Sequence, residues 1–175
     1  MGAVYTSDAV AGREPVILIA LGANVPSPAG QPAETLVAAL RELARRGITI
    51  ERQSGFYRNP AWPDPRDPPF INAVASVSTG LSPAALLDVL HEVEAQFGRT
   101  RAAPNAPRTL DLDLLDYNGT VQAGPPSLPH PRMQDRAFVL VPLRDVAPDW
   151  RHPVTGQSVT DLIAALPPAQ IERVG

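Results

Sequence analysis

The stretch Pro107–Asn118, reading PRTLDLDLLDYN, constrains this chain more than any other. Leu110, Leu112 and Leu114 alternate with Asp111 and Asp113. A period of two is a strand pattern, because successive side chains of a strand point to opposite faces. The leucines therefore enter a core, and the two aspartates share the other face, roughly 7 Å apart along the backbone. Carboxylates that close repel each other, and a cation between them relieves the repulsion. Mg²⁺ suits such a pair, since it takes one or two carboxylates and completes its shell with water and phosphate oxygens. The alternative is a half-exposed edge strand whose acids simply face water. Arg108, directly before the pair, and Arg99 and Arg101 upstream favour a charged site.

Composition narrows the chemistry. The chain has 175 residues and no cysteine, which excludes disulfides, thiol nucleophiles and thiolate metal sites. All 15 basic residues are arginine. Without lysine there is no Schiff base, phosphate-loop lysine or kinase strand lysine. Any polyphosphate must be held by arginine forks, metal ions and backbone N–H groups. A net charge of -3 argues against general nucleic-acid affinity. No run of about 18 apolar residues exists to span a membrane. The N-terminus carries no basic region followed by an apolar run, so a cytoplasmic location is expected. Residues 1–14 read as a loose tail and 15–175 as one domain, with a monomer as the default.

In chain order, Val16–Leu21 is a continuous apolar run and reads as a buried central strand. Gly22-Ala23-Asn24 then turns. Gly22 serves either close approach to a ligand or an ordinary turn. Pro32–Arg46 carries leucines at helical spacing and is closed by Gly47. Ile48–Tyr57 reads as a strand. The loop Arg58–Pro69 is rich in proline, hence stiff although irregular. Its Trp62 either packs under the loop or serves a site. Phe70–Thr79 is the next strand and contains Asn72, whose amide can donate and accept together. Ser82 caps a helix that begins at Pro83 and ends at Gly98. After the DLD strand come a turn at Asn118-Gly119, a short strand near Thr120–Gln122 and the stiff loop Gly124–Pro131. A short helix then runs from Phe138 to Val146, with Pro142 near its start or kinking it. A last helix spans Asp161–Leu166, capped by Thr160 or Ser158. The order β-α-β-β-α-β predicts an α+β, ferredoxin-like core, an antiparallel sheet with helices on one face, followed by short C-terminal helices and strands. Fold alone implies no function.

The ordered set LGAN, FYRNPAW, FIN, GRTR, APRTLDLDLL and LPHPRMQDRAFVLVPL spans about Val16 to Pro148. It resembles the 6-hydroxymethyl-7,8-dihydropterin pyrophosphokinases of folate synthesis. That resemblance implies transfer of a pyrophosphoryl group from ATP to the pterin hydroxymethyl, with release of AMP. It implies Asp111 and Asp113 as ligands of two Mg²⁺ ions. Arg99, Arg101 and Arg108 look like phosphate-handling arginines, with Arg99 and Arg101 catalytic beside the aspartates. Glu94, His130 and Arg136 look like nucleotide contacts. Asn59, Pro60, Trp62, Phe70, Asn72 and Phe138 fall at pterin positions, with Gly22 and Asn24 at that pocket's edge. The chain departs from the usual pattern in three places. Asn105-Ala106 stands where a tryptophan is frequent, Asn59-Pro60 where Thr-Pro is common, and Pro131 where an aromatic often follows the histidine.

Two other readings share parts of this chemistry. A nucleotidyl- or glycosyl-transferase could use D-x-D on a nucleotide diphosphate, with a different acceptor pocket. A ligand-sensing module of the same fold would make no product.

Overall fold

A computed structural model of the chain describes residues 15–100 and 107–174. The proposed N-terminal tail, Arg101 and the Asn105-Ala106 departure lie outside the described residues. β1 (Ile17–Ala23) is buried along its whole length. Ile17, Ile19 and Leu21 enter one core while Leu18 and Ala20 enter another on the opposite face. A strand apolar on both sides belongs in the middle of a sheet. β1 indeed lies between β4 (Phe70–Ser78) and β5 (Asp111–Tyr117). Beyond β4 lie β2 (Thr49–Gln53), β3 (Phe56–Asn59) and, outside β3, β6 (Glu172–Val174). Every pairing is antiparallel. With α1 (Pro32–Arg45) after β1 and α2 (Pro83–Gln96) after β4, this is the ferredoxin-like order.

The first core holds Leu36, Leu40 and Leu43 of α1 with Leu86, Leu90 and Val93 of α2. The second holds Val139, Leu140 and Leu143 of α3 (Ala137–Val146) with Val159 and Leu162 of α4 (Val159–Ala165). Helices thus cover both faces of the sheet and not one as expected, because α3 and α4 pack on the face opposite α1 and α2. A register shift between β1 and β5 lets β5 serve both cores. Leu114 lies opposite Ile19 while Asp116 lies opposite Leu18. The extra residue, Leu115, joins Leu18 in the second core. Asp116 is fully buried, accepting the Trp150 indole N–H at 2.9 Å and the Gly119 N–H at 2.9 Å.

Three further expectations change. The strand expected over Ile48–Tyr57 is broken at Ser54-Gly55 into β2 and β3. Ser54 bridges the gap: its N–H donates to Val74 O and its Oγ accepts the Val74 N–H, both at 2.9 Å. Asp145 of α3 takes the Gly55 N–H at 3.0 Å and the Tyr57 hydroxyl at 2.7 Å, stapling the helix over the break. The strand near Thr120–Gln122 is only an isolated bridge, Gln122 to Leu128. β1 runs on to Ala23, so Gly22 lies within the strand rather than in a turn. β6 had no alternating pattern to announce it, being three residues with two of them exposed. Elsewhere the capping chemistry holds, with Ser82 accepting the Ala85 N–H and Ser158, rather than Thr160, the Asp161 N–H.

Removing the Ser54 hydroxyl would leave a buried Val74 N–H unpaired. Ser54→Ala is expected to cost about 1–3 kcal/mol, read as a lower urea midpoint at unchanged slope.

Candidate active site

Register builds the site. Asp111 lies opposite Gly22 on β1, and Gly22 lies opposite Asn72 on β4. Cross-strand partners share a face, so Asp111, Gly22 and Asn72 form one row across three strands. At about 4.8 Å per strand spacing, its ends stand roughly 10 Å apart. Gly22 leaves the middle of the row open. A Cβ there would come within 2.7 Å of Asn72 Oδ1. Asp113, opposite Ala20, stands on the same face one step inward.

Two cavities meet at this row. The larger, about 450 Å³, is lined by Gly22, Asn59, Pro60, Trp62, Phe70, Asn72 and Phe138 among others. Apolar rings face amides there, the arrangement that binds a flat heteroaromatic. Asn72 donates its amide N–H to Asn59 Oδ1, which joins β4 to β3 at the cavity wall. The smaller, about 200 Å³, is lined by charged and polar groups including Glu94, Arg99 and His130. Arg108, Asp111, Asp113 and Arg136 line both. Fourteen expected site residues therefore converge on two adjoining spaces.

Asn24 does not line either cavity. It is buried, and its Oδ1 accepts the Arg108 N–H at 2.7 Å while its Nδ2 donates to Pro68 O at 3.1 Å. Trp62 is not packed beneath its loop; it is 74% exposed at the mouth of the larger cavity. Arg101 lies outside the described residues. Arg132 and Asp135 also line the larger cavity, although no role was assigned to them from sequence. Both stand in the PHPRMQDRAF run, which marked the region but not these two side chains.

The carboxylates are held unequally. Arg99 Nη1 bridges Asp111 Oδ1 and Glu94 Oε2, the latter at 2.6 Å. Arg108 Nη1 reaches Asp111 Oδ2 at 2.8 Å. Glu94 is buried on α2 and also accepts the Leu112 N–H at 3.0 Å, so it fixes both Arg99 and the strand. Among the described residues, Asp113 meets only Arg136 Nη1, at 3.9 Å. Burial and the neighbouring Asp111 push its carboxyl up to about 6. Burial, with Arg136 beside it, pushes His130 down to about 4, so its ring is neutral at neutral pH. His130 Nδ1 accepts the Arg132 N–H at 3.1 Å, which leaves its proton on Nε2 as an uncharged donor.

The donor set fits a hard divalent cation that brings most of its own shell. Among the described residues no group of three or more histidine, cysteine or acidic side chains is placed to hold a metal ion. Two carboxylates alone would leave the remaining positions to water and phosphate oxygens, as Mg²⁺ prefers.

Comparison with known proteins decides among the readings of this site. Residues 18–148 match the family model for 7,8-dihydro-6-hydroxymethylpterin-pyrophosphokinase (HPPK). The chain belongs to this family. The 2-amino-4-hydroxy-6-hydroxymethyldihydropteridine pyrophosphokinase of Synechocystis is 41% identical over 148 residues, covering 83% of this chain and 73% of the relative. That of Methylorubrum extorquens is 39% identical over 158 residues, covering 89% of this chain and 96% of the relative. Among solved structures, a Plasmodium falciparum HPPK-DHPS chain superposes with a TM-score of 0.66 at 15% identity. The match covers 87% of this chain and 44% of that one, so this chain spans less than half of the solved polypeptide. At that identity the likeness is one of fold. The fold is the pyrophosphokinase fold, and ATP is the family's co-substrate.

The raised carboxyl gives this family member a pH-dependent weakness when metal-free. A carboxyl that ionises less readily folded than unfolded destabilises the folded state as pH rises from about 4 to about 6. In EDTA, Asp113→Asn should therefore melt at a higher temperature than the parent at pH 7. The gain should vanish by about pH 4 and level off above about 6. Thermal melts of both proteins across this range check it.

Proposed function

We propose that the chain transfers the terminal pyrophosphoryl group of ATP to the hydroxymethyl of 6-hydroxymethyl-7,8-dihydropterin, releasing AMP, with the pterin in the larger cavity and the triphosphate at the smaller. The observation that carries this division is the shared wall. Asp111 and Asp113, with Arg108 and Arg136, line both spaces, so a group passing from one to the other stays beside them.

The hydroxyl oxygen attacks the β-phosphorus of ATP. The bond from that phosphorus to the oxygen bridging to the α-phosphorus breaks, AMP leaves with that oxygen, and the hydroxyl proton passes to solvent. Such transfers need positioning and charge neutralisation more than covalent chemistry. Phe70 and Phe138 supply faces for the ring, and Asn59 and Asn72 supply amides for its polar edge. A ring lying over Gly22 would reach from Asn72 toward Asp111. Arg99 and Arg108 can fork onto phosphate oxygens, and the Arg99 Nε has no partner among the described residues. Neutral His130 would donate from Nε2 without adding charge. Arg101 joins them on the strength of the resemblance alone. Asp111 and Asp113 would hold two Mg²⁺ ions, which when bound neutralise phosphate charge beside the attacking hydroxyl.

We place the enzyme in the cytoplasm as a monomer. No helix among the described residues is long and apolar enough to cross a membrane. The exposed large hydrophobics there are Trp62, Val121 and Val154, and Trp62 belongs to the cavity mouth. Neither nucleic acid nor a membrane is needed as partner.

Incubation with ATP, Mg²⁺ and the pterin should yield AMP and pyrophosphorylated pterin, resolved by chromatography. Formation of ADP, or no pterin-dependent product, would refute the reaction. Asp113→Ala should lose roughly 10³-fold or more in turnover while melting no lower than the parent.

Gly22→Ala tests the row itself. The new Cβ, 2.7 Å from Asn72 Oδ1, forces the amide to turn. Pterin affinity should fall roughly 5- to 150-fold through unpaired polar atoms, with affinity for a non-hydrolysable ATP analogue unchanged. Calorimetric titration with each ligand reads both numbers, and parental pterin affinity would break the link between Gly22 and the amide.

A further inference from the structure

We propose that Arg132 recognises the pyrophosphoryl group once it sits on the pterin, and so sets affinity for the product rather than for either substrate; this rests on the two-cavity reading above. Among the described residues, four arginines line the two spaces, and their placement differs. Arg99 lines the smaller cavity, Arg108 and Arg136 line both, and Arg132 lines the larger one without lining the smaller.

The three arginines of the larger cavity also differ in what they already hold. Arg108 is bonded to Asp111 at 2.8 Å. Arg136 stands 3.9 Å from Asp113 and lies over the Phe138 ring at 5.6 Å. The Arg132 side chain is exposed and has no hydrogen bond or ion pair among the described residues. Its backbone, by contrast, is pinned. The Arg132 N–H donates to His130 Nδ1, and its carbonyl accepts the Asp135 N–H at 3.1 Å. Met133, next along, is fully buried in the second core. A fixed backbone thus holds a charged fork with its donors unspent at the wall of a cavity.

A guanidinium wants a carboxylate or phosphate. The pterin substrate is an uncharged ring with an uncharged hydroxymethyl and offers neither. In the two-cavity reading the triphosphate of ATP meets Arg99, Arg108 and Arg136, which line the smaller cavity. An anion enters the space lined by Arg132 when the pyrophosphoryl group has become part of the pterin. Asp135 lines the same cavity three residues on and is the one acidic neighbour from this turn. Its side chain makes no ion pair with Arg132 among the described residues.

The test uses the full chain and Arg132→Gln. Each is titrated with the pterin, with a non-hydrolysable ATP analogue plus Mg²⁺, and with pyrophosphorylated pterin. The variant should bind the pyrophosphorylated pterin roughly tenfold or more weakly, as for loss of one charge-assisted partner. Its affinities for the other two ligands should equal the parent's, and its product-inhibition constant should rise in step. A merely structural role would lower the melting temperature and weaken all three ligands together, which overturns the proposal. So does unchanged product affinity, the result for a solvated surface arginine. Should the parent itself fail to bind pyrophosphorylated pterin, the two-cavity reading fails; should parent and variant bind it equally, the Arg132 assignment alone fails.

Discussion

Repulsion between Asp111 and Asp113 is the constraint around which this molecule is arranged. Two carboxylates on one strand face, under partial burial, cannot both be comfortable as anions. The protein relieves one of them and leaves the other. Asp111 receives Arg99 and Arg108, and Arg99 is itself held by buried Glu94. Asp113 receives a distant Arg136 and ionises only near pH 6. A site evolved for stability alone would not retain that arrangement. Unrelieved charge of this kind suits a bound cation, and in the role proposed for Asp113 it would set the stability of the resting protein against its activity.

The sheet supplies the distances. β1 carries no charged residue, yet it decides what can happen, because it separates β5 with its acids from β4 with its amide. One strand's width of floor lies between the amide proposed to read a heterocycle and the groups proposed to handle phosphate. The same register explains why the position between them carries no side chain. Any Cβ at residue 22 would collide with Asn72, so the close approach is to a neighbouring amide as well as to whatever lies above. The turn reading of Gly22 gives way to a strand position, and its contact with Asn72 depends on a cross-strand register that local sequence does not carry.

Much of the fold was legible because its signals are local. Alternation in LDLDL, leucine spacing in the helices and the Ser82 cap depend on neighbours in sequence, and the structure follows them. The break at Ser54-Gly55 was not legible, since the hydroxyl that repairs it bonds to Val74 and the staple comes from Asp145. Nor was the buried role of Asp116, whose indole partner is Trp150. At the site, residue types pointed to chemistry, while roles that depend on burial did not. Glu94 resembled a nucleotide contact one turn from arginines, and its burial as an anchor of Arg99 and Leu112 was not legible. Arg132 looked like one more arginine in a run, because sequence does not tell a paired guanidinium from an unpaired one.

Asn24 has a consequence beyond its own bonds. One amide ties the end of the proline-rich loop, at Pro68, to the start of the strand bearing the acids, at Arg108. The loop carries Pro60 and Trp62 at one cavity, just past Asn59 at the end of β3, and Arg108 reaches Asp111 at the wall of both. A ligand that draws the loop inward therefore pulls on the same amide that sets the backbone of Arg108. Linkage makes such a coupling reciprocal: whatever factor the first ligand contributes to the second, the second returns to the first. Beside the wall the two cavities share, this buried asparagine offers a second route by which heterotropic cooperativity between the two substrates would run.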